Sequence, residues 1–305
     1  MNRSLLVFAI SAGLTLAVSS SASAGLLLFS SGPPDGVAAE PPSYTNCTVC
    51  HSGAEVNSGS GSLSIQNVPA EYVPGQVYSL TVEIDDPAAM RWGFEITAVD
   101  EAGTGIGSFT ITDTTNTQFS SQAGREYVKQ TGTGSFAGSA GPQSWSFDWT
   151  APAAGSGTVF FYAAGNAAND NSNSSGDMIY SAATSSAESG AAHADLTLVL
   201  QPHEPLAPRG GNLTVPARIR NHSNSTQDIV LVSRVRLSNG SLFPPNGFLL
   251  NPIPLSIAPG DQGEAVMVHP IAPTTPLITA TYEGLIGIAP ATLIDMDTFT
   301  VSVTP

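Results

Sequence analysis

Gln76-Val77-Tyr78-Ser79-Leu80-Thr81-Val82-Glu83-Ile84 decides the fold class. In an extended chain Val77, Ser79 and Thr81 fall on one side, and Tyr78, Leu80, Val82 and Ile84 on the other. That period of two marks a strand with one face in a core. The pattern repeats outward in both directions. Upstream, Leu63-Ser64-Ile65 alternates. Downstream, 92–99 holds Phe94, Ile96 and Ala98, and 108–112 is short and β-branched. The segment 144–149 sets Trp145, Phe147 and Trp149 on one face. Val159-Phe160-Phe161-Tyr162 is nearly unbroken and suits a central strand, and 196–200 closes the set. Short strands at this spacing, separated by Gly and Asn turns, predict a β-sandwich over 63–201.

Pro202, Pro205, Pro208, Gly210 and Gly211 crowd into 202–211, which reads as a linker. Strand-like stretches resume at 213–220, 228–237, 248–257, 263–269, 277–282 and 297–303. They predict a second, smaller Ig-like sandwich over 212–305. Two long polar stretches, 113–141 and 165–190, read as loops; loops of that length are usually functional or mobile. The expected class is all-β: two β-sandwich domains in tandem behind an irregular segment, 25–62.

The first 24 residues set the compartment. Arg3 precedes an apolar run at 5–18, and Ala22-Ser23-Ala24 ends it. A basic start, a short apolar core and an A-x-A end describe a secretory signal peptide over 1–24. The run is shorter than the roughly 20 residues of a membrane span. No later stretch is long and apolar enough for one, so the mature chain is expected to have no membrane span and to be periplasmic or extracellular. The chain carries 9 basic and 24 acidic residues, net −15. Such a surface repels nucleic acid and anionic lipid, which need clustered Lys and Arg.

The only two cysteines lie in Cys47-Thr48-Val49-Cys50-His51. C-x-x-C-H is the attachment signature of c-type haem. Two thiols three positions apart reach the two vinyl groups of one porphyrin edge, and the adjacent histidine becomes the proximal iron ligand. One covalent haem c on Cys47 and Cys50, with His51 on iron, is therefore expected. Other readings stay open: a local disulfide, which an oxidising compartment allows, a redox pair, and half of a zinc site. Candidate sixth ligands are Met90, Met178, His193 and His203, with Met90 placed first. Asp170, Asn171, Asn173 and Asp177 offer closely spaced oxygens. They do not match a twelve-residue calcium loop, so an ordinary polar loop is the better reading. His222 and His269 have no ligand pattern and read as surface residues. No G-x-S-x-G elbow, phosphate loop or paired-carboxylate site is evident.

Several segments resemble one family. They are Gly32-Pro33-Pro34-Asp35-Gly36, the C-x-x-C-H-S-G run at 47–53, Tyr72-Val73-Pro74-Gly75-Gln76, Arg91-Trp92-Gly93-Phe94, Trp145-Ser146-Phe147-Asp148-Trp149, Phe161-Tyr162-Ala163-Ala164-Gly165-Asn166 and Ser175-Gly176-Asp177-Met178-Ile179-Tyr180. Together, over about 32–200, the chain resembles the bacterial relatives of the reelin-type (Reeler) domain found in choice-of-anchor proteins. The resemblance implies an extracytoplasmic β-sandwich with a haem-type motif. The family pattern carries a histidine where this chain has Gln130. If that histidine is a sixth ligand elsewhere, this chain uses another group or leaves the position open.

The functional expectation is an exported mono-haem, cytochrome-like protein with an electron-transfer or other haem-dependent redox role. A basic redox partner or a cell-surface component would suit its acidic surface, chiefly through association rate. The alternative is an extracellular adhesion or binding module in which the CxxC pair is a disulfide or the haem is structural. A haem enzyme would need an open pocket with acid–base groups, and the sequence names none.

Overall fold

The structure is a computed structural model and describes residues 29–191, 194–245, 247–288 and 292–305. The predicted signal peptide, 1–24, and His193 lie outside the described residues. The chain is all-β. Residues 29–61 form an irregular strap whose one regular element is a 3-10 turn, Cys47–Val49. The first sandwich follows: β1 (Ser62–Gln66), β2 (Glu71–Tyr72), β3 (Val77–Asp85), β4 (Arg91–Val99), β5 (Ser108–Thr110), β6 (Thr117–Gln122), β7 (Arg125–Gln130), β8 (Gln143–Thr150), β9 (Val159–Ala168) and β10 (Met178–Glu188). One sheet runs β1-β3-β8-β5 and the other β2-β10-β9-β4-β7-β6.

The alternation at 76–84 does what its period requires. Leu80 pairs with Phe147 and Val82 with Trp145 across β3 and β8, and all four side chains are buried between the sheets. Phe94 stacks on Trp145 at 4.4 Å, and Trp149 meets Phe161 edge-on at 4.9 Å. Replacing one of these rings by Ala would cost about 3–5 kcal/mol.

The second sheet is covered on both faces. On its inner face lie Phe94, Ile96, Phe161, Ala163, Tyr180 and Ala182. Its outer face carries Glu95, Tyr162, Ala164, Ile179, Ala183 and Lys129, and these are buried too. The strap and the second sandwich lie over that face. This double cover explains two departures from the sequence reading. The stretch 113–141 contains β6 and β7, and 165–190 contains β10. Met178–Glu188 is rich in Ala, Ser and Thr, so it lacks the apolar alternation of a half-buried strand. Its small side chains allow close cover from outside, and Ser185 and Ser186 are fully buried.

The second sandwich comprises β11 (Leu196–Leu200), β12 (Leu206–Pro208), β13 (Asn212–Asn221), β14 (Gln227–Arg236), β15 (Leu242–Phe243), β16 (Ile253–Ile257), β17 (Gln262–Pro270), β18 (Thr279–Ile288) and β19 (Thr292–Thr304). Its sheets run β11-β13-β17 and β12-β19-β18-β14-β15, with β16 also pairing β14. Strand pairing falls differently from the expected boundary at 201/202. Leu196–Leu200 pairs with β13, and Leu196, Leu198 and Leu200 enter the second core. The supposed linker contains β12, which runs parallel to β19. Its prolines suit that edge position, because Pro lacks a ladder donor. His222 and His269 are buried, not surface residues. His269 shares a hydrogen bond with the Tyr282 hydroxyl at 2.7 Å. His222 bridges Thr197 and the Ala70 carbonyl of the first sandwich, each at 2.8 Å.

Candidate functional site

The strap lies on the outer face through polar groups that burial obliges to pair. Lys129 donates to the Pro33 carbonyl at 2.7 Å and pairs with Asp35 at 2.5 Å. The Val37 amide donates to Glu95 Oε2 at 2.6 Å. Tyr127 donates to Glu40 Oε1 at 2.9 Å, and Arg125 donates to the Pro41 carbonyl at 2.9 Å. Glu95 is fully buried, and that burial pushes its carboxyl up to about 8.

The strap then turns at the motif. Asn46, with extended backbone, caps the 3-10 turn: its Oδ1 accepts the Thr48 amide at 3.0 Å. The Cys50 and His51 amides both donate to the Cys47 carbonyl, at 3.2 and 2.9 Å. This tight turn sends the two cysteines different ways. Cys47 is buried among Ala39, Val56, Ala164 and Ile179, and Cys50 is exposed. Both are free thiols. Burial pushes the Cys47 thiol up to about 12, with the nearby Glu95 carboxyl adding to it.

Just beyond, the chain is pinned to the 170–177 loop. The Ser52 amide donates to the Ser174 carbonyl at 2.8 Å, and the Gly176 amide donates to the Ser52 carbonyl at 2.9 Å. Gly53, at φ +133°, passes so close to Gly176 that a Cβ would lie 2.9 Å from its nitrogen. Glycine is required there for both reasons.

His51 Nδ1 lies 2.6 Å from Asp177 Oδ2. Asp177 is buried, and its other oxygen accepts the Asn169 amide at 3.2 Å. With its Nδ1 proton given to the carboxylate, the neutral imidazole would present Nε2 as its lone-pair nitrogen. The Asn166 amide nitrogen is 3.1 Å from Nδ1 and 3.2 Å from Nε2. The amide thus lies between the two ring nitrogens. Asn166 Oδ1 is buried without a hydrogen-bond partner.

Cys47, Cys50, His51, Asn166 and Asp177 border one cavity of about 660 Å³. Its wall also includes Phe29, Val37, Trp92 and Phe94, and an ion pair between Arg91 and Asp170 at 2.7 Å. The volume and the largely apolar lining are those of a small-molecule or cofactor site. The residues present fit a haem c: both attachment sulfurs and the histidine share one cavity, and the imidazole is already oriented by its carboxylate. A thioether, like the neutral Cys47 thiol, carries no charge into the buried position.

The sixth-ligand candidates fare differently. Met90, the first candidate, is 39% exposed and is not among the residues bordering the cavity. It sits just before β4, where its backbone is tied to Ala168 and Gly138. Met178 packs against the first core. His203 is largely buried near the domain junction, away from the cavity wall, and burial lowers its pKa to about 4. Gln130 does border the cavity, but its Oε1 is occupied by the Phe94 amide at 2.8 Å.

The sequence reading did not single out Asp177 as the partner of His51, nor Asn166. In the sequence Asp177 stands out as a loop oxygen and within a segment of family resemblance, with no sign of its link to His51. Within that loop Asp170 is spent on Arg91, while Asn169, Asn171 and Asn173 each accept the backbone amide two residues on.

No family model matches this chain, and no curated protein matches it. Among solved structures it is similar to the human F-spondin reeler domain, at 24% identity and a TM-score of 0.33, covering 45% of this chain and 94% of that one. It is similar to the Reelin-N domain of F-spondin at 24% identity and a TM-score of 0.33, covering 47% and 94%. A CARDB domain from Pyrococcus furiosus, solved in complex with di-metal ions, shares 13% identity over 36% of this chain and 89% of that one, with a TM-score of 0.26. Among the described residues no helix is long and apolar enough to cross a membrane.

Proposed function

We propose that this chain is an exported, Reeler-like carrier of one covalent haem c with a redox role in the periplasm or outside the cell. The observation that carries the reading is the shared cavity: Cys47, Cys50 and an Asp177-oriented His51 border the same 660 Å³ space. The bound group would supply one-electron redox chemistry. Cys47 and Cys50 would tether it, and His51 Nε2 would hold its iron. Asp177 would hold the His51 ring in place through Nδ1. Trp92, Phe94 and Val37 provide apolar wall for the flat face of the group.

No described residue of the cavity wall other than His51 offers an imidazole, and none offers a thioether. His51 would then be the imidazole that the described cavity wall supplies to the group, and a spectrum that shifts on adding imidazole is expected. The net charge of −15 would speed encounter with a basic partner.

The test is mass and colour. The chain, matured in a host competent for haem attachment, should weigh one haem more than its polypeptide. Its visible band should survive acid–acetone extraction. A colourless product weighing no more than its amino acids would overturn the proposal in favour of a binding module.

A further inference from the structure

The strap is held from two sides. Its 33–41 part is fixed to β4 and β7 of the first sandwich, as described above. Its 39–46 part also reaches the second sandwich. Gln201 donates to the Ala39 carbonyl at 3.3 Å. The Tyr44 ring is buried in the second core, edge-on to Phe299 at 5.8 Å. Asn46 Nδ2 donates to the His203 carbonyl at 3.1 Å, while its Oδ1 caps the motif turn. Three points along eight residues are thus tied to the C-terminal sandwich, and the next residue is Cys47.

We propose that docking of the C-terminal sandwich locks the CxxCH turn in place, so that Cys47 is chemically accessible only before the two sandwiches close on the strap. Cys50 stays exposed in the closed chain, whereas Cys47 is 9% exposed. Any addition to Cys47 needs its sulfur to meet the reagent. In thioether formation the S–H bond adds across a vinyl double bond: sulfur joins one carbon and the hydrogen goes to the other, with no outside oxidant. The closed chain leaves Cys50 exposed and Cys47 held in the cavity wall with little room to turn toward a reagent. The C-terminal sandwich is thereby a clasp, and attachment comes before clasping. That order of events rests on the haem reading above; the clasp itself does not.

The clasp is tested on the full chain made without haem attachment and kept reduced, using a maleimide and peptide mapping to follow each cysteine. In the wild type Cys50 should label at least about tenfold faster than Cys47, the factor given by ~1.4 kcal/mol of local opening. Tyr44→Ala, and the milder Asn46→Ala, should bring Cys47 toward the Cys50 rate. All three tryptophans, Trp92, Trp145 and Trp149, lie in the first sandwich, so unchanged native tryptophan emission certifies that the variants keep the sheets against which Cys47 packs. Equal rates in the wild type, or no acceleration in either folded variant, would overturn the clasp. If labelling behaves as expected while the natively matured chain carries no added mass, the clasp stands and the haem reading falls.

Discussion

Asp177 is where one side chain sets the character of the site. Its carboxylate, buried and 2.6 Å from His51 Nδ1, raises the electron-donating power of that ring. If the chain carries the proposed haem, Asp177→Asn should raise its reduction potential, because an imidazole whose Nδ1 faces a neutral amide donates less to oxidised iron. A redox titration reads this directly, and an unchanged or lowered midpoint would remove Asp177 from that role. Glu95 acts on stability. Its carboxyl is raised by burial to about 8, against 4.5 for a free glutamate. Between those values the folded chain binds a proton that the unfolded chain has released. The stability this contributes is complete below about pH 4.5 and is lost as pH rises through about 8. Asp297, raised to about 6 and bonded to the Leu200 amide, has the same sign over a lower window. Urea unfolding should therefore weaken from pH 5 to 8, by a few kcal/mol at most given ~1.4 kcal/mol per pKa unit. Glu95→Gln, which keeps an acceptor for Val37, should flatten that slope.

At the scale of elements, the contact between strap and loop governs how firmly the motif is held. The Ser52 bridge to 174–176 works only because Gly53 and Gly176 approach backbone to backbone. Gly53→Ala would bring a Cβ to 2.9 Å from the Gly176 nitrogen and force a positive φ on an L-residue. A cost of about 1–3 kcal/mol is expected, as for other strained backbone positions. It should appear in hydrogen exchange as faster loss of the Ser52 and Gly176 amides, with β9 unaffected. Equal acceleration across β9 would mean that the bridge is part of the global core instead of a local latch.

For the whole molecule, the two sandwiches are joined by buried polar groups. Arg218 is buried; it donates to Gln201 Oε1 at 2.6 Å and to the Ser181 carbonyl at 2.8 Å, and pairs with Glu264 at 3.1 Å. Arg220 donates to the Val68 carbonyl at 3.2 Å, and His222 meets Ala70. Val199 packs with Tyr162 and Ala183 beside them. Arg218→Met would leave Gln201 Oε1 without its donor, at about 1–3 kcal/mol for a buried group left unpaired, and would leave the Ser181 carbonyl with the Asn57 amide alone among side-chain donors. Denaturation followed by tryptophan emission reports the first sandwich, and far-ultraviolet dichroism reports both. The two curves should coincide in the wild type and separate in Arg218→Met. Coincident curves in the variant would show that the apolar contacts alone couple the halves.

Much of this molecule could be read from local pattern. Alternation at 76–84, at 92–99 and at 144–149 names three strands and the face each buries, because a side chain's direction in a strand depends only on its own backbone. The spacing of Cys47, Cys50 and His51 likewise singles out three groups that border one cavity. Local pattern failed wherever burial came from a distant segment. Met178–Glu188 carries too few apolar residues to announce itself, yet it is a buried strand because the strap and the second sandwich cover it. Leu196–Leu200 reads equally well as the last strand of one sandwich or the first of the next, and only its pairing with β13 assigns it. The 126 positions between His51 and Asp177 leave no periodicity to connect them. Sequence alone determined the strands, their inward faces and the candidate ligand set. Tertiary structure decided which domain each strand joined and which carboxylate holds the histidine, because those outcomes depend on contacts between segments whose local propensities are silent about one another.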